Sequence, residues 1–126
     1  MEKQEKGQFN EQIRERTLSM AVEVHKLLAN LTVSSLTRPI VTQLIRSSTS
    51  VASNFRAATR SRSDAEFYSK ICIVVEEIDE TQFWLDYLDR IKLLGRSGAA
   101  GVFNEVEELV KIFTSIKCKM KARVNP

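Results

Sequence analysis

Few side chains in this sequence could do chemistry, and their spacing does not bring them together. There is a single histidine, His25, and there are two cysteines, Cys72 and Cys118. A metal or hydrolytic centre needs several such groups to converge. No second histidine or cysteine stands at ligand spacing from His25, so His25 reads as a surface or interface residue. Cys72 falls on an apolar helical stripe and reads as a small buried hydrophobe. Cys118 lies between Lys117 and Lys119, a setting that can activate a thiol. It has no neighbouring base or orienting group, and without one it is a poor nucleophile. Two distant thiols and a polar N-terminus with no leader-like core fit a reduced, cytoplasmic protein better than a disulfide framework.

The acids Glu76, Glu77, Asp79 and Glu80 form the densest ionisable cluster. Glu76 and Glu80 share a helical face, and carboxylates so paired can hold two metals in a bundle. That arrangement requires Glu-x-x-His pairs on other helices, and none is present. We therefore expect no catalytic residue, no metal and no cofactor, and a chain that is not an enzyme. The acids read better as partners of the preceding arginines, with Arg46 or Arg56 reaching Glu77 and Glu80 at the bundle edge.

Charge is strongly segregated along the chain. Between Leu31 and Ser63 there are five arginines (38, 46, 56, 60 and 62) and no acid. From Asp64 to Asp89 eight acids face one lysine, and the segment after Asp89 is basic again, so the net charge is only +3. Arg38, Arg56, Arg60 and Arg62, with Lys117, Lys119, Lys121 and Arg123 in the tail, are the candidate phosphate-binding residues. No base-reading motif accompanies them, so any RNA or DNA contact would be tolerant of sequence. The Ser47–Ser50 run lacks the glycine-rich loop of a phosphate cradle and reads as a place where helices pack closely.

The elements that position these residues are helical. At 126 residues and 43% hydrophobic content the chain can bury one core. Two prolines and four glycines are too few for the turns of a β-sandwich. No run of about 18 apolar residues suggests a membrane span. Apolar residues at three- and four-residue steps predict helices over about residues 8–30, 38–60, 64–94 and 100–121 of a single domain, 1–126. Residues 1–7 are expected to fray. Thr37 is expected to cap the second helix, with Pro39 in its first turn. Ser63-Asp64-Ala65-Glu66 is a capping-box pattern for the third, and Gly95 is expected to stop it. The third helix carries two apolar stripes, one through Phe67, Ile71, Val74, Ile78, Thr81, Leu85 and Leu88, the other through Tyr68, Cys72, Val75, Trp84, Tyr87, Ile91 and Leu94. So wide an apolar surface needs more than one packing partner. Phe83, Trp84 and Tyr87 cannot all face one seam, and part of that cluster is expected at a subunit interface. Short connections between four long helices give an all-α, antiparallel, up-down-up-down four-helix bundle.

Within that frame the chain resembles a known family. The matching residues are Gln43, Leu44, Arg46, Ser47, Ser50, Ala52, Asn54 through Arg56, Arg60, Ser63, Phe67, Lys70, Glu77, Asp79, Glu80, Thr81, Trp84 and Leu85. The phrase RTLSMAVEVHKLL, Arg16 to Leu28, fits the same family's first helix. These residues resemble the bacterial four-helix-bundle proteins, some of which are encoded in intervening sequences of 23S ribosomal RNA genes. The chain departs from the family's pattern at Ala57, where many members carry an acid. The resemblance implies a homopentameric ring. A related group, the accessory proteins of diversity-generating retroelements, implies nucleic acid and a reverse transcriptase as partners. Two expectations follow: an oligomeric protein that binds nucleic acid through basic patches, or a structural or protein-interaction module in which the charges serve assembly. They differ in whether the arginines stand free or are consumed by Glu76, Glu77 and Glu80.

Overall fold

The structure is a computed structural model that describes residues 2–125. Four α-helices follow one another: α1 (Glu2–Ala29), α2 (Arg38–Ala58), α3 (Asp64–Arg90) and α4 (Ala100–Val124). A single 3-10 turn, Arg96–Gly98, precedes α4, and no strand occurs among the described residues. Neighbours run antiparallel. The middle of α1 meets the end of α2 where Arg14 donates to Thr59 Oγ1 at 3.5 Å, and the end of α4 meets the start of α3 where Arg123 reaches Asp64 at 3.5 Å. Among the contacts between helices adjacent around the bundle, that between α2 and α3 is the most extensive and that between α1 and α4 the smallest. No helix is long and apolar enough to cross a membrane.

The core is built from the stripes that the sequence spacing picks out. Ile13, Met20 and Val24 of α1, Leu44, Val51 and Phe55 of α2, Ile71, Val74, Ile78, Leu85 and Leu88 of α3, and Val106, Leu109 and Phe113 of α4 are all buried. Phe55 and Phe113 pack with ring centroids 5.4 Å apart, joining α2 to α4 across the centre. The Ser47–Ser50 run stays helical despite its poor propensity. Ser47 and Ser48 are buried, and their hydroxyls donate to the carbonyls of Leu44 and Ile45. Each polar group thus finds a partner one turn back in its own helix.

The ends depart from expectation in instructive ways. Helix α1 begins at Glu2, not near residue 8. Its first turns are made of good helix formers, and Glu2 and Glu5 suit the positive end of the helix dipole. Phe9, expected on the apolar stripe, is exposed, and no described residue before Ile13 is buried. Thr37 does not cap α2. It already has helical dihedrals, and its hydroxyl accepts from the Ser34 N–H at 3.0 Å because residues 34–38 form a turn of their own. Ser63 does cap α3, accepting from the Glu66 N–H at 3.1 Å, while the Glu66 side chain turns to Arg62.

Helix α3 ends at Arg90, before Gly95 is reached. Lys92 takes the left-handed conformation, φ 62°. The Lys92 N–H then donates to the Asp89 carbonyl and the Leu93 N–H to the Leu88 carbonyl, each at 3.0 Å. This is a Schellman closure with lysine where glycine is usual. The helix stops there because Leu93 and Leu94 fold back onto the core, Leu94 being buried.

Candidate nucleic-acid interface and the α2–α3 clasp

The residues that carry the resemblance prove to be wired to one another. Arg46 of α2 donates through Nε to Gln43 Oε1 at 3.0 Å and through Nη2 to Glu80 Oε2 on α3. Its Nη1 lies 3.1 Å from Glu77 Oε2, a charge contact out of line for a hydrogen bond, and that buried oxygen has no other donor. Glu80 Oε1 in turn accepts from the Trp84 indole N–H at 3.2 Å. The Arg46 hydrogen bond, with help from the indole, holds the Glu80 carboxyl below its ordinary value, and Arg46 is raised in return. One turn deeper, Thr81 and Ser47, both fully buried, meet hydroxyl to hydroxyl at 2.9 Å. Thr81 Oγ1 also lies 2.8 Å from the Glu77 carbonyl. Of the two arginines expected to pair with these acids, Arg46 does and Arg56 has no ion pair among the described residues.

This clasp positions the aromatic cluster. Trp84 is half-buried and fixed by Glu80, Phe83 stands edge-on to it at 4.8 Å, and Tyr87 lies 5.9 Å from it. Phe83 is 54% exposed and Tyr87 40%. Glu76, Asp79 and Phe83 follow at three- and four-residue steps, and Asp86 and Tyr87 lie three and four residues beyond Phe83, so all five share one face of α3. All five are exposed.

The candidate phosphate-binding residues fall into two groups. Arg56, Arg60 and Arg62 lie at the end of α2 and in the turn after it, and Lys117, Lys119, Lys121 and Arg123 at the end of α4. The Arg123–Asp64 pair shows that both segments occupy the same end of the molecule. Arg38 begins α2 at the opposite end, about 30 Å away at 1.5 Å per residue. Arg56 and Arg60 are exposed and, like Lys117, Lys119 and Lys121, form no ion pair among the described residues. Arg62 touches Glu66 at 3.7 Å and Arg123 touches Asp64 at 3.5 Å. Exposed pairs of this kind are worth at most about 1 kcal/mol and yield readily to a phosphate. Lys117 and Lys121 share one face of α4, Lys119 and Arg123 another, so the patch wraps the helix end.

A groove of about 1100 Å³ opens between α1 and α2 beside this basic end. Leu18, Ala21 and Ala52 supply its apolar surface, and Arg14, Arg56 and Arg60 stand along it. Reading the sequence singled out neither Arg14 nor the groove, because nothing in the local spacing of α1 shows which face α2 leaves uncovered. Arg16 was equally silent. It makes a two-pronged contact with Glu105 and lies 3.2 Å from Glu108, fastening α1 to α4 across their small contact. The acids raise Arg16 above its ordinary value.

The remaining reactive groups stay apart from these sites. His25 and Cys118 are exposed, and Cys72 is half-buried where full burial was expected. Tyr68 is held above its ordinary value, first by the neighbouring Cys72 thiol. No group of three or more histidine, cysteine or acidic residues that could hold a metal occurs among the described residues.

A short-looped helical bundle with an α2–α3 clasp and a basic end defines the class. Residues 3–115 match the family of 23S rRNA-intervening sequence proteins, and the chain belongs to that family. A solved structure from Bacteroides thetaiotaomicron VPI-5482, a protein of unknown function from the S23 ribosomal protein family, is similar at a TM-score of 0.72 and 30% identity. The likeness covers 83% of this chain and 97% of that one. No curated protein matches.

Proposed function

We propose that this protein is a non-enzymatic, homo-oligomeric bundle that holds nucleic acid by its phosphates at the basic end. The observation that carries the reading is the convergence of unpaired cations there. Arg60, Lys117, Lys119 and Lys121 have no ion pair among the described residues, Arg62 and Arg123 are weakly held, and Glu77 and Glu80 of α3 are engaged instead by Arg46. RNA is the favoured ligand on the family's association with ribosomal RNA genes. A ring, of five subunits as the resemblance implies, would repeat the patch in every subunit and multiply a weak contact. A reverse transcriptase or other protein partner would then be reached through the bound nucleic acid. The exposed aromatic face of α3 supports the oligomer, since a large apolar surface on a helix calls for a partner.

The test is a salt titration of binding to unrelated RNA and DNA oligomers. Each phosphate contact adds about 0.7–0.9 to the slope of log affinity against log salt. Arg60→Glu/Arg62→Glu and Lys119→Glu/Lys121→Glu proteins should bind every oligomer less tightly and with a flatter slope. His25→Ala and Cys118→Ala should change nothing. Absence of binding by the unaltered protein at about 50 mM salt, where screening is mild, overturns the nucleic-acid reading and leaves the interaction module.

A further inference from the structure

We propose that the α3 face bearing Phe83 and Tyr87 in one copy seats in the α1–α2 groove of the next copy, in a head-to-tail contact. The inference rests on the oligomeric reading above and names the two surfaces that meet.

The α3 face pairs rings with free acids. None of Glu76, Asp79 and Asp86 has an ion-pair partner among the described residues, and on the face they share with Phe83 and Tyr87 they outnumber the one unpaired cation, Arg90. Ile91, 42% exposed, extends the apolar strip. The rings are held in place beforehand. Trp84 is pinned to Glu80, which is pinned to Arg46, and Phe83 and Tyr87 pack against Trp84. A surface already ordered loses little freedom on docking, so more of its burial appears as affinity.

The groove offers the complement. Leu18 is 53% exposed there, beside Ala21 and Ala52, whose small side chains let another helix approach. Arg14, Arg56 and Arg60 line it without a carboxylate partner, while Arg16 is engaged by Glu105. Glu11 and Glu15 also line it, so the excess is modest, three unpaired arginines against two glutamates. It still opposes the sign of the α3 face. Opposed potentials steer and register such a contact.

The two surfaces lie on different helices, so the contact is not self-complementary. Each copy presents one donor face and one acceptor groove, and the contact propagates until the rotation closes a ring. Arg56 and Arg60 are drawn into the contact, whereas Arg62, Lys117, Lys119 and Lys121 stay clear of it for phosphate.

The experiment measures mass in solution by light scattering, with circular dichroism and melting to confirm folding. A face variant, Phe83→Asp/Tyr87→Asp, and a groove variant, Leu18→Glu/Arg56→Glu, alter only exposed side chains. Asp79→Lys/Asp86→Lys is a second face variant should the first fail to fold. Each alone should be a folded monomer. Mixed in equal amounts, the face variant's intact groove accepts the groove variant's intact face, giving a heterodimer and nothing larger. A monomeric unaltered protein overturns the oligomeric reading and this inference with it. An unaltered oligomer whose variants remain assembled overturns the choice of surfaces alone. A mixture that stays monomeric, or that regains full size, overturns the head-to-tail pairing.

Discussion

The Ser47–Thr81 contact can be turned into a number. Both residues are fully buried, one on α2 and one on α3, and their hydroxyl oxygens are 2.9 Å apart. The two hydroxyl protons are shared among three contacts, the third and second being Ser47 to the Leu44 carbonyl at 3.2 Å and Thr81 to the Glu77 carbonyl at 2.8 Å. Removing either oxygen therefore strands nothing. After Thr81→Val, Ser47 still donates to Leu44, and after Ser47→Ala, Thr81 still donates to Glu77. The penalty of an unpaired buried group, about 1–3 kcal/mol, is avoided, and each single change should cost only the net worth of one hydrogen bond, about 0.5–1.5 kcal/mol. Thr81→Val keeps the side-chain shape and Ser47→Ala removes one atom, so cavity terms are small. The double variant replaces both partners and should cost no more than either single one. The coupling energy of the cycle is then about 0.5–1.5 kcal/mol. Urea unfolding of the four proteins measures it, at one fixed protein concentration so that any self-association is held constant, with m-values compared to confirm an unchanged transition. Additivity within about 0.3 kcal/mol would refute a hydrogen bond between the helices.

Lys92→Gly should stabilise the protein. Relief of the left-handed strain, about 1–2 kcal/mol, is offset by glycine's greater freedom when unfolded, about 0.4–1 kcal/mol, so the urea midpoint should rise by the equivalent of about 1 kcal/mol or less; a lower midpoint would mean that the lysine stem is held by packing at that turn. Glu80 predicts the acid response. Its carboxyl is held low in the folded state by Arg46, so its contribution to stability is complete above the unfolded value, near pH 4.3, and is lost as pH falls through the lower folded value. Glu80→Gln should therefore lower stability at neutral pH and flatten the acid limb, and a limb unchanged in unfolding curves taken between pH 2 and 7 would show that the pair does not couple to folding.

The core and the α2–α3 pairing were legible because they rest on period and charge. Ile71, Val74, Ile78 and Leu85 repeat at bundle spacing, and that spacing alone buries them. The ends were not legible, because propensity is weak where tertiary contact decides. Gly95 carries the conventional stop signal, yet Leu93 and Leu94 are drawn to the core just before it, and Lys92, three residues earlier, takes the turn. Thr37 carries the conventional cap signal, yet its hydroxyl is taken by Ser34. Of the basic residues, the sequence shows type and separation along one helix. It does not show that the turn after α2 and the tail of α4 share an end while Arg38 lies at the other. That grouping follows from the antiparallel order, which brings residues some 60 positions apart to one surface, as Arg123 and Asp64 attest.

The division of labour within the chain explains why family membership says so little about activity. Gln43, Arg46, Ser47, Glu77, Glu80, Thr81 and Trp84 are among the residues by which the family is recognised, and all seven sit in the clasp between α2 and α3. Their spacing is set by the need to meet across two helices, so they report a fold and a register. The Arg46–Glu77 ion pair, with its acid largely covered and its arginine exposed, supports that role, since such a pair specifies which helix faces meet more reliably than it adds stability. The free cations lie outside the clasp, on a turn and a tail where packing imposes no partner. They can change number and place without disturbing the bundle, so the affinity of the basic end is expected to vary among proteins that share this clasp. What the clasp does transmit is the orientation of Trp84, and through it the ring face of α3. On the proposed function, assembly should therefore depend on the clasp residues, and ligand binding on the cations outside it. Arg46→Ala should weaken assembly by freeing Trp84 while leaving the salt slope per bound chain unchanged. Loss of the slope with assembly intact would reverse that assignment.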